Sequence, residues 1–158
     1  MSKRWDDHFL QLCLACAGMS KDPSTHVGAV IVGHDREIVA TGFNGLPRDI
    51  VDYPHRLNDR DMKRRLVVHA EMNAVLNAAR AGARPLRGLT LYLAATDQTG
   101  AVWGGAPCTR CTVELIQAGI AEIVTCPPKA VPARWAEDIA FARELLREVG
   151  VSYREVTP

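Results

Sequence analysis

The stretch His69-Ala70-Glu71, read together with Pro107-Cys108-Thr109-Arg110-Cys111, decides how the rest of this chain is read. One histidine and two cysteines can supply three ligands to a zinc ion. A tetrahedral zinc with three protein ligands keeps its fourth position for water, the open arrangement of a catalytic site. Cys108 and Cys111 are spaced i, i+3, neighbours on one helix face, so both sulfurs can reach one metal. Pro107 marks the start of that helix. The thiols then lie near its partly positive end, which favours the thiolate that binds metal. Glu71 stands two residues past the histidine, a spacing that does not share a helix face. Side chains there can still reach forward beyond the first turn, and Glu71 is then a proton carrier beside the metal rather than a ligand. A lone C-x-x-C would fit a structural zinc site with one more ligand elsewhere. Both halves together, each opening a predicted helix, favour the catalytic reading.

Outward from His69, Leu66-Val67-Val68 leads into a helix over about 69–81, rich in Ala, Leu and Met, with Gly82 as its cap. The second half opens a helix over 108–118, with Gly119 past its end. Between them, residues 89–94 read as a buried strand and 97–106 as loop. Residues 120–126 give the next strand, and Cys126 packs in or beside the core. Pro127, Pro128 and Pro132 mark a loop. Trp135, Ile139, Leu145, Leu146 and Val149 line a last helix stopped by Gly150, and 151–156 form a short strand. Towards the N-terminus, residues 5–19 read as a helix whose Phe9, Leu12, Cys13 and Cys16 follow the i, i+3, i+4, i+7 pattern of one buried face. That pattern favours Cys13 and Cys16 as small core residues over a second metal or redox pair. A polar loop, Ser20-Lys21-Asp22-Pro23-Ser24-Thr25, precedes a hairpin of strands 27–32 and 37–43. Residues 49–65 are charge-rich, contain a short helix and present mostly a solvated face.

The element order is α-β-β-α-β-α-β-α-β. A hairpin followed by strands alternating with helices implies a mixed sheet covered on both faces. Ligands in open sheets of this kind sit beyond strand ends, among helix starts, and both halves of the metal motif fall there. At 158 residues the chain is most simply one domain, 1–158, with a substantial core. A formal net charge of +1 gives no overall basic field for nucleic acid. No apolar run is long enough to span a bilayer, and no secretory signal opens the chain. Five cysteines, an odd count with two committed to metal, suit a reducing cytoplasm better than a disulfide framework.

The H-x-E and P-C-x-x-C pair is the pattern of zinc nucleobase deaminases. The chain resembles the cytidine deaminase superfamily, and most of all its deoxycytidylate (dCMP) deaminases. The narrower likeness rests on Ser20 to Thr25 with Val27-Gly28-Ala29, on Gly42-Phe43-Asn44-Gly45-Leu46-Pro47-Arg48, on His69 to Ala74, and on Ile116-Gln117-Ala118-Gly119-Ile120. The resemblance implies an α/β/α three-layer sandwich around a five-stranded mixed sheet. It assigns His69, Cys108 and Cys111 to Zn2+ and Glu71 to the proton shuttle. It also implies hydrolysis of dCMP to dUMP with release of ammonia. The Ala70 amide would meet the base carbonyl, the Ala106 carbonyl the exocyclic amine, and Asn44 the sugar. A homo-oligomer, dimer or hexamer, with dCTP and dTTP as effectors, belongs to the same expectation. A second, structural zinc is known in some members, but Val67 and Val68 precede His69 here and its ligands are not found. Residues 94–106, with Trp103, make a longer Gly-containing loop than the family's, one that would hang over the site mouth.

Three points stay open. Asn44, beside Gly45, is either a turn residue or a substrate ligand. Lys21, with the Ser20 and Ser24 hydroxyls, either meets the substrate's 5′-phosphate or is a solvated lysine, and Arg48 and the arginines from Arg56 to Arg65 are in reserve. The substrate is dCMP or another nucleoside, base or nucleotide. The rival of another class is a non-catalytic zinc-stabilised binding module, against which Glu71 speaks, since a structural site has no use for it.

Overall fold

In the computed structural model, which describes residues 2–128 and 133–157, alternation along each strand sorts side chains onto two faces. In β1 (Thr25–Val32) Ala29 and Ile31 point one way while Val30 and Val32 point the other, and β3 (Thr90–Asp97) repeats this with Leu91 and Leu93 against Tyr92 and Ala94. The second set packs under α1 (Lys3–Ala17), with Phe9, Leu10 and Cys13. The first packs with Ala70 and Ala74 of α4 (Ala70–Arg80), Leu115 of α5 (Thr109–Ala118) and Leu146 of α6 (Ala133–Glu148). The expected three-layer α/β/α arrangement follows, with α1 on one side and α4, α5 and α6 on the other.

Strand order is β2-β1-β3-β5-β6, where β2 is Ile38–Phe43, β5 Glu122–Thr125 and β6 Ser152–Glu155. β1 is antiparallel to both β2 and β3, whereas β5 and β6 run parallel to β3. The two parallel steps are crossovers through α5 and α6. Right-handed crossovers moving the same way across a sheet put both helices on one face. The predicted mixed sheet is present, with a sixth strand added. Residues 97–106, expected as loop, contain β4 (Val102–Trp103), which folds back on β3 with Ala95 opposite Trp103 and Thr96 opposite Val102. A two-residue strand flanked by glycines carries no alternation by which sequence could reveal it. The charge-rich segment holds two short helices rather than one, α2 (Pro54–Asn58) and α3 (Arg60–Leu66). Pro132 of the predicted proline-marked loop lies outside the described residues.

The buried face of α1 is rotated from the expected one. Phe9, Leu10, Cys13 and Ala17 are buried, with Leu12 and Cys16 only half covered. Asp6 is 2% exposed. Its carboxylate accepts from the Tyr92 hydroxyl at 2.7 Å and from the two terminal Arg154 guanidinium nitrogens at 3.0 and 3.1 Å. Arg154 also donates to Glu122 at 2.8 Å. This network ties α1 to β3, β5 and β6. Burial alone would push the Asp6 carboxyl up, but the hydrogen bonds from Arg154 and Tyr92 and the Arg154 charge hold it below its ordinary value of 3.8. A group depressed in the folded state stabilises fully above its unfolded pKa and loses that contribution as pH falls through the folded one. Asp6→Asn is therefore expected to cost about 3 kcal/mol at neutral pH, read by urea unfolding. The deficit should shrink as the pH drops below the ordinary carboxylate value. Equal midpoints at pH 7 would show that the network contributes nothing.

Candidate active site

The site lies at one rim of the sheet, where β2, β3 and β5 end and α4 and α5 begin. His69 and Cys108 occupy the same place on their helices. Each is the N-cap, with extended backbone (φ −70°, ψ 156° and φ −62°, ψ 160°), and neither side chain caps its helix. Both are thus free to turn towards the gap between the two helix starts. The helices consequently begin one residue later than the sequence suggests. The i, i+3 spacing still holds, with Cys108 at the N-cap and Cys111 one turn in.

Close backbone approaches fix the two helix starts. A Cβ on Gly42 would stand 2.4 Å from the Ala70 carbonyl oxygen and from the Ala74 nitrogen, so β2 can lie against the first turns of α4 only because this position is glycine. Gly45 and Val68 exchange backbone hydrogen bonds at 3.1 and 2.8 Å, pinning the residue before His69 to the end of β2. Asn73 and Asn77 donate to the Phe43 and Thr41 carbonyls at 2.7 and 2.8 Å, so α4 covers part of the open edge of β2. On the other side, the Thr109 amide donates to the Asp138 carboxylate of α6 at 3.0 Å, and the Thr109 hydroxyl to the Asp138 carbonyl at 2.9 Å. A carboxylate on a free first-turn amide satisfies it and complements the helix dipole. No local signal in the sequence marks Asp138, because its partner lies on another helix.

These supports bring the three predicted metal ligands together. His69 Nδ1 lies 3.5 Å from the Cys108 sulfur and 3.4 Å from that of Cys111. Zn–S and Zn–N bonds of about 2.3 and 2.1 Å at a tetrahedral angle would separate nitrogen and sulfur by about 3.6 Å. The group therefore fits zinc in both donor type and spacing, and among the described residues it is the cluster able to hold a metal ion. The three groups share protons unevenly. The Cys111 thiol, by hydrogen bonding to it, brings Cys108 down to about 4, and Cys111 is correspondingly pushed up. His69 is raised to about 9 by its hydrogen bond with Cys108. A divalent cation takes the place of such shared protons. Glu71, in the first turn of α4, is 5% exposed, and burial raises its carboxyl.

The profile of the cytidine and deoxycytidylate deaminase zinc-binding region matches residues 3–126. The chain belongs to the cytidine and deoxycytidylate deaminase family. Deoxycytidylate deaminase of Mus musculus is 35% identical over 159 residues, which cover 98% of this chain and 80% of that one. An uncharacterized deaminase in the luxG 3′ region of Aliivibrio fischeri is 34% identical over 153 residues, covering 96% and 92%. Among solved structures, that of dCMP deaminase from the cyanophage S-TIM5 in complex with dCMP and dUMP aligns over 99% of both chains at a TM-score of 0.71. At 19% identity that likeness speaks for the fold.

Within this deaminase fold the remaining predicted residues separate. Ala70 is buried at the start of α4, and Ala106 is half-buried just before Pro107. Asn44 is 7% exposed, and its carboxamide bonds the β1 main chain, accepting from Val27 N at 2.8 Å and donating to the Thr25 carbonyl at 2.9 Å. It staples the loop after β2 to the start of β1, with one amide hydrogen left over. Ser20 donates to the Asn44 carbonyl at 2.8 Å, so its hydroxyl holds the same joint. Lys21 is exposed, 2.7 Å from Asp52. The more covered cation here is Lys63 of α3, 3.2 Å from the buried Asp22 carboxylate. That carboxylate also accepts from the Ser24 and Thr25 amides at 2.8 and 3.2 Å, making a rigid Asx turn of the polar loop. Cys13 and Cys126 lie in the α1-side core, apart from the metal cluster. No helix among the described residues is long and apolar enough to cross a membrane.

Proposed function

We propose that this protein, as a single deaminase domain over 1–158, hydrolyses dCMP to dUMP and ammonia with His69, Cys108 and Cys111 as the zinc ligands. The observation that carries the reading is the His-Cys-Cys cluster with the buried Glu71 beside it, in a chain whose relatives over nearly its whole length include deoxycytidylate deaminases. Zinc supplies water activation at neutral pH when bound. Glu71 takes a proton from the attacking water and delivers it to the ring nitrogen, then takes the proton of the resulting C4 hydroxyl and delivers it to the amine, which leaves C4 as ammonia. One carboxylate serves both steps because each transfer restores the state the other needs. First-turn amides of α4 lack intrahelical acceptors, so the Ala70 amide is available to the base carbonyl. The Ala106 carbonyl, next to Pro107 and Cys108, accepts from the exocyclic amine. Asn44 offers its spare amide hydrogen to the sugar. Lys21 is assigned to the 5′-phosphate, because its surface pair with Asp52 is readily exchanged for a stronger anion.

The protein works as a homo-oligomer in the cytoplasm, dimer or hexamer, with dCTP and dTTP as effectors. Exposed Leu76 on α4 and Val113 on α5 give it apolar surface for self-association. Steady-state ammonia release from dCMP, CMP, deoxycytidine and dAMP tests the substrate. A charge-assisted phosphate contact should favour dCMP over deoxycytidine by about tenfold to hundredfold in kcat/KM. Equal efficiency on the two would remove the monophosphate assignment and leave the zinc chemistry standing.

A further inference from the structure

β4 ends five residues before Cys108, and its register shows which face its tryptophan shares. β1 runs along one edge of β3 from Thr90 to Asp97. β5 takes the other edge at residues 90–93, and β4 continues that edge at Ala95 and Thr96. β4 thus extends the sheet past the C-terminal end of β5, at the rim where α4 and α5 begin. Directly opposed residues of an antiparallel pair share a face. Trp103, opposite Ala95, therefore shares the face of Leu91 and Leu93, the one covered by α4 and α5. Val102, opposite Thr96, faces the other way.

The hairpin is held at both ends. At the turn, the Asp97 carboxylate accepts from the Thr99 amide and hydroxyl at 2.9 and 2.6 Å and from the Ala101 amide at 3.1 Å. After Trp103, the Gly104 amide donates to the Pro127 carbonyl at 3.2 Å and the Gly105 amide to the buried Thr125 hydroxyl at 3.1 Å. A Cβ on Gly104 would stand 2.1 Å from the Cys126 carbonyl oxygen, so the strand leaves β4 tight against the end of β5. Gly104, Gly105 and Pro107 are buried, and Cys108 follows at once. Trp103 is half-buried, on a segment these contacts hold between the end of β5 and Cys108 five residues on, with part of the residue left uncovered.

We propose that Trp103 is a specificity-determining residue: its indole forms the wall on which the substrate's pyrimidine ring stacks. The inference rests on the dCMP reading above. The register puts Trp103 on the face and at the rim where α4 and α5 begin, and a flat apolar ring there matches the one flat apolar part of a nucleotide. The sugar and phosphate lie with the polar loop and the Asn44 joint. Binding covers the open part of the indole and turns the ring's edge towards Ala70, Ala106 and Glu71.

Trp103→Ala and Trp103→Phe, compared with wild type, test it. Base–aromatic stacking predicts that Trp103→Ala raises KM for dCMP by about tenfold to hundredfold with kcat little changed, while zinc content stays at the wild-type level. Trp103→Phe, which keeps an aromatic face, should recover most of the loss. The chain has three tryptophans, Trp5, Trp103 and Trp135. Titration with dUMP should quench the fluorescence of wild type and leave that of Trp103→Phe unchanged. An unaltered KM in Trp103→Ala, or a full quench in Trp103→Phe, overturns the proposal. If Trp103→Ala fails to fold, the phenylalanine variant and the quench decide. Wild-type turnover of dCMP is the separate control, so failure of the substrate reading shows there and not in the comparison of variants.

Discussion

Glu71→Gln should leave a folded, zinc-loaded protein that releases almost no ammonia. The carboxylate sits in the first turn of α4, 5% exposed and two residues beyond His69. Burial raises its affinity for a proton, against the pull of the His69 charge and a hydrogen bond with Cys111. Glutamine keeps the size and the hydrogen bonding of the side chain but can neither accept nor return a proton at working pH. Two protons must move in each turnover, one from water to the ring nitrogen and one from the resulting C4 hydroxyl to the departing amine, so loss of the carrier strikes both halves of the reaction. General acid–base catalysis contributes about 10²–10⁴-fold per positioned group, and a fall in kcat towards the upper end of that range is expected. Elemental analysis of the same preparation separates this role from ligation. Near-normal turnover, or zinc lost along with activity, would refute the assignment of Glu71 as proton carrier.

The Cys108 and Cys111 half of the metal cluster was legible because it is written in a short, local spacing. Two residues between Cys108 and Cys111 suffice to place both sulfurs within one helical turn, whatever the rest of the chain does. The hairpin and the alternating helices were legible for a similar reason, since strand alternation and helical periodicity are local. What escaped is what depends on distant partners. Nothing local marks Asp6 out on its helix. It is buried because Arg154, 148 positions along the chain, supplies its charge partner. Asp138 is one acid among many on α6 until the fold brings it to the Thr109 amide. The polar loop after α1 reads as a row of free hydroxyls and a lysine. Instead Ser20 and Asp22 are spent on the Asn44 joint, the loop's own turn and Lys63, while Lys21, Pro23 and Ser24 face solvent. Glycines at 100, 104 and 105 suggested loose loop, although two of them serve a tight turn and a close approach to β5.

Loss of a single sulfur should undo the metal site as a whole. The three ligand atoms come from two helix starts, and no ligand is duplicated among the described residues. Cys111→Ala leaves one imidazole and one thiolate, and two ligands hold zinc poorly. Even changes to groups that only orient a ligand cost about 10–100-fold in affinity, so removing a ligand should cost more. Zinc content after dialysis is expected to fall to background, and deamination with it. A ligand that binds only the folded state contributes about 2.7 kcal/mol when present at a hundred times its Kd. For a chain of this length that corresponds to roughly 5–10 °C in Tm. Cys111→Ala should therefore melt lower than wild type by about that amount, and EDTA should lower wild type to match it while leaving the variant unmoved. Cys108→Ala should behave in the same way, since its sulfur stands at the same 3.5 Å distance class from His69 Nδ1 as the 3.4 Å of Cys111. Cys13→Ala is the contrast. Its thiol is fully buried beneath α1 with Phe9 and Val30, so that variant should lose packing stability and keep its zinc. Full zinc occupancy in Cys111→Ala would mean that the metal is held by another set of residues.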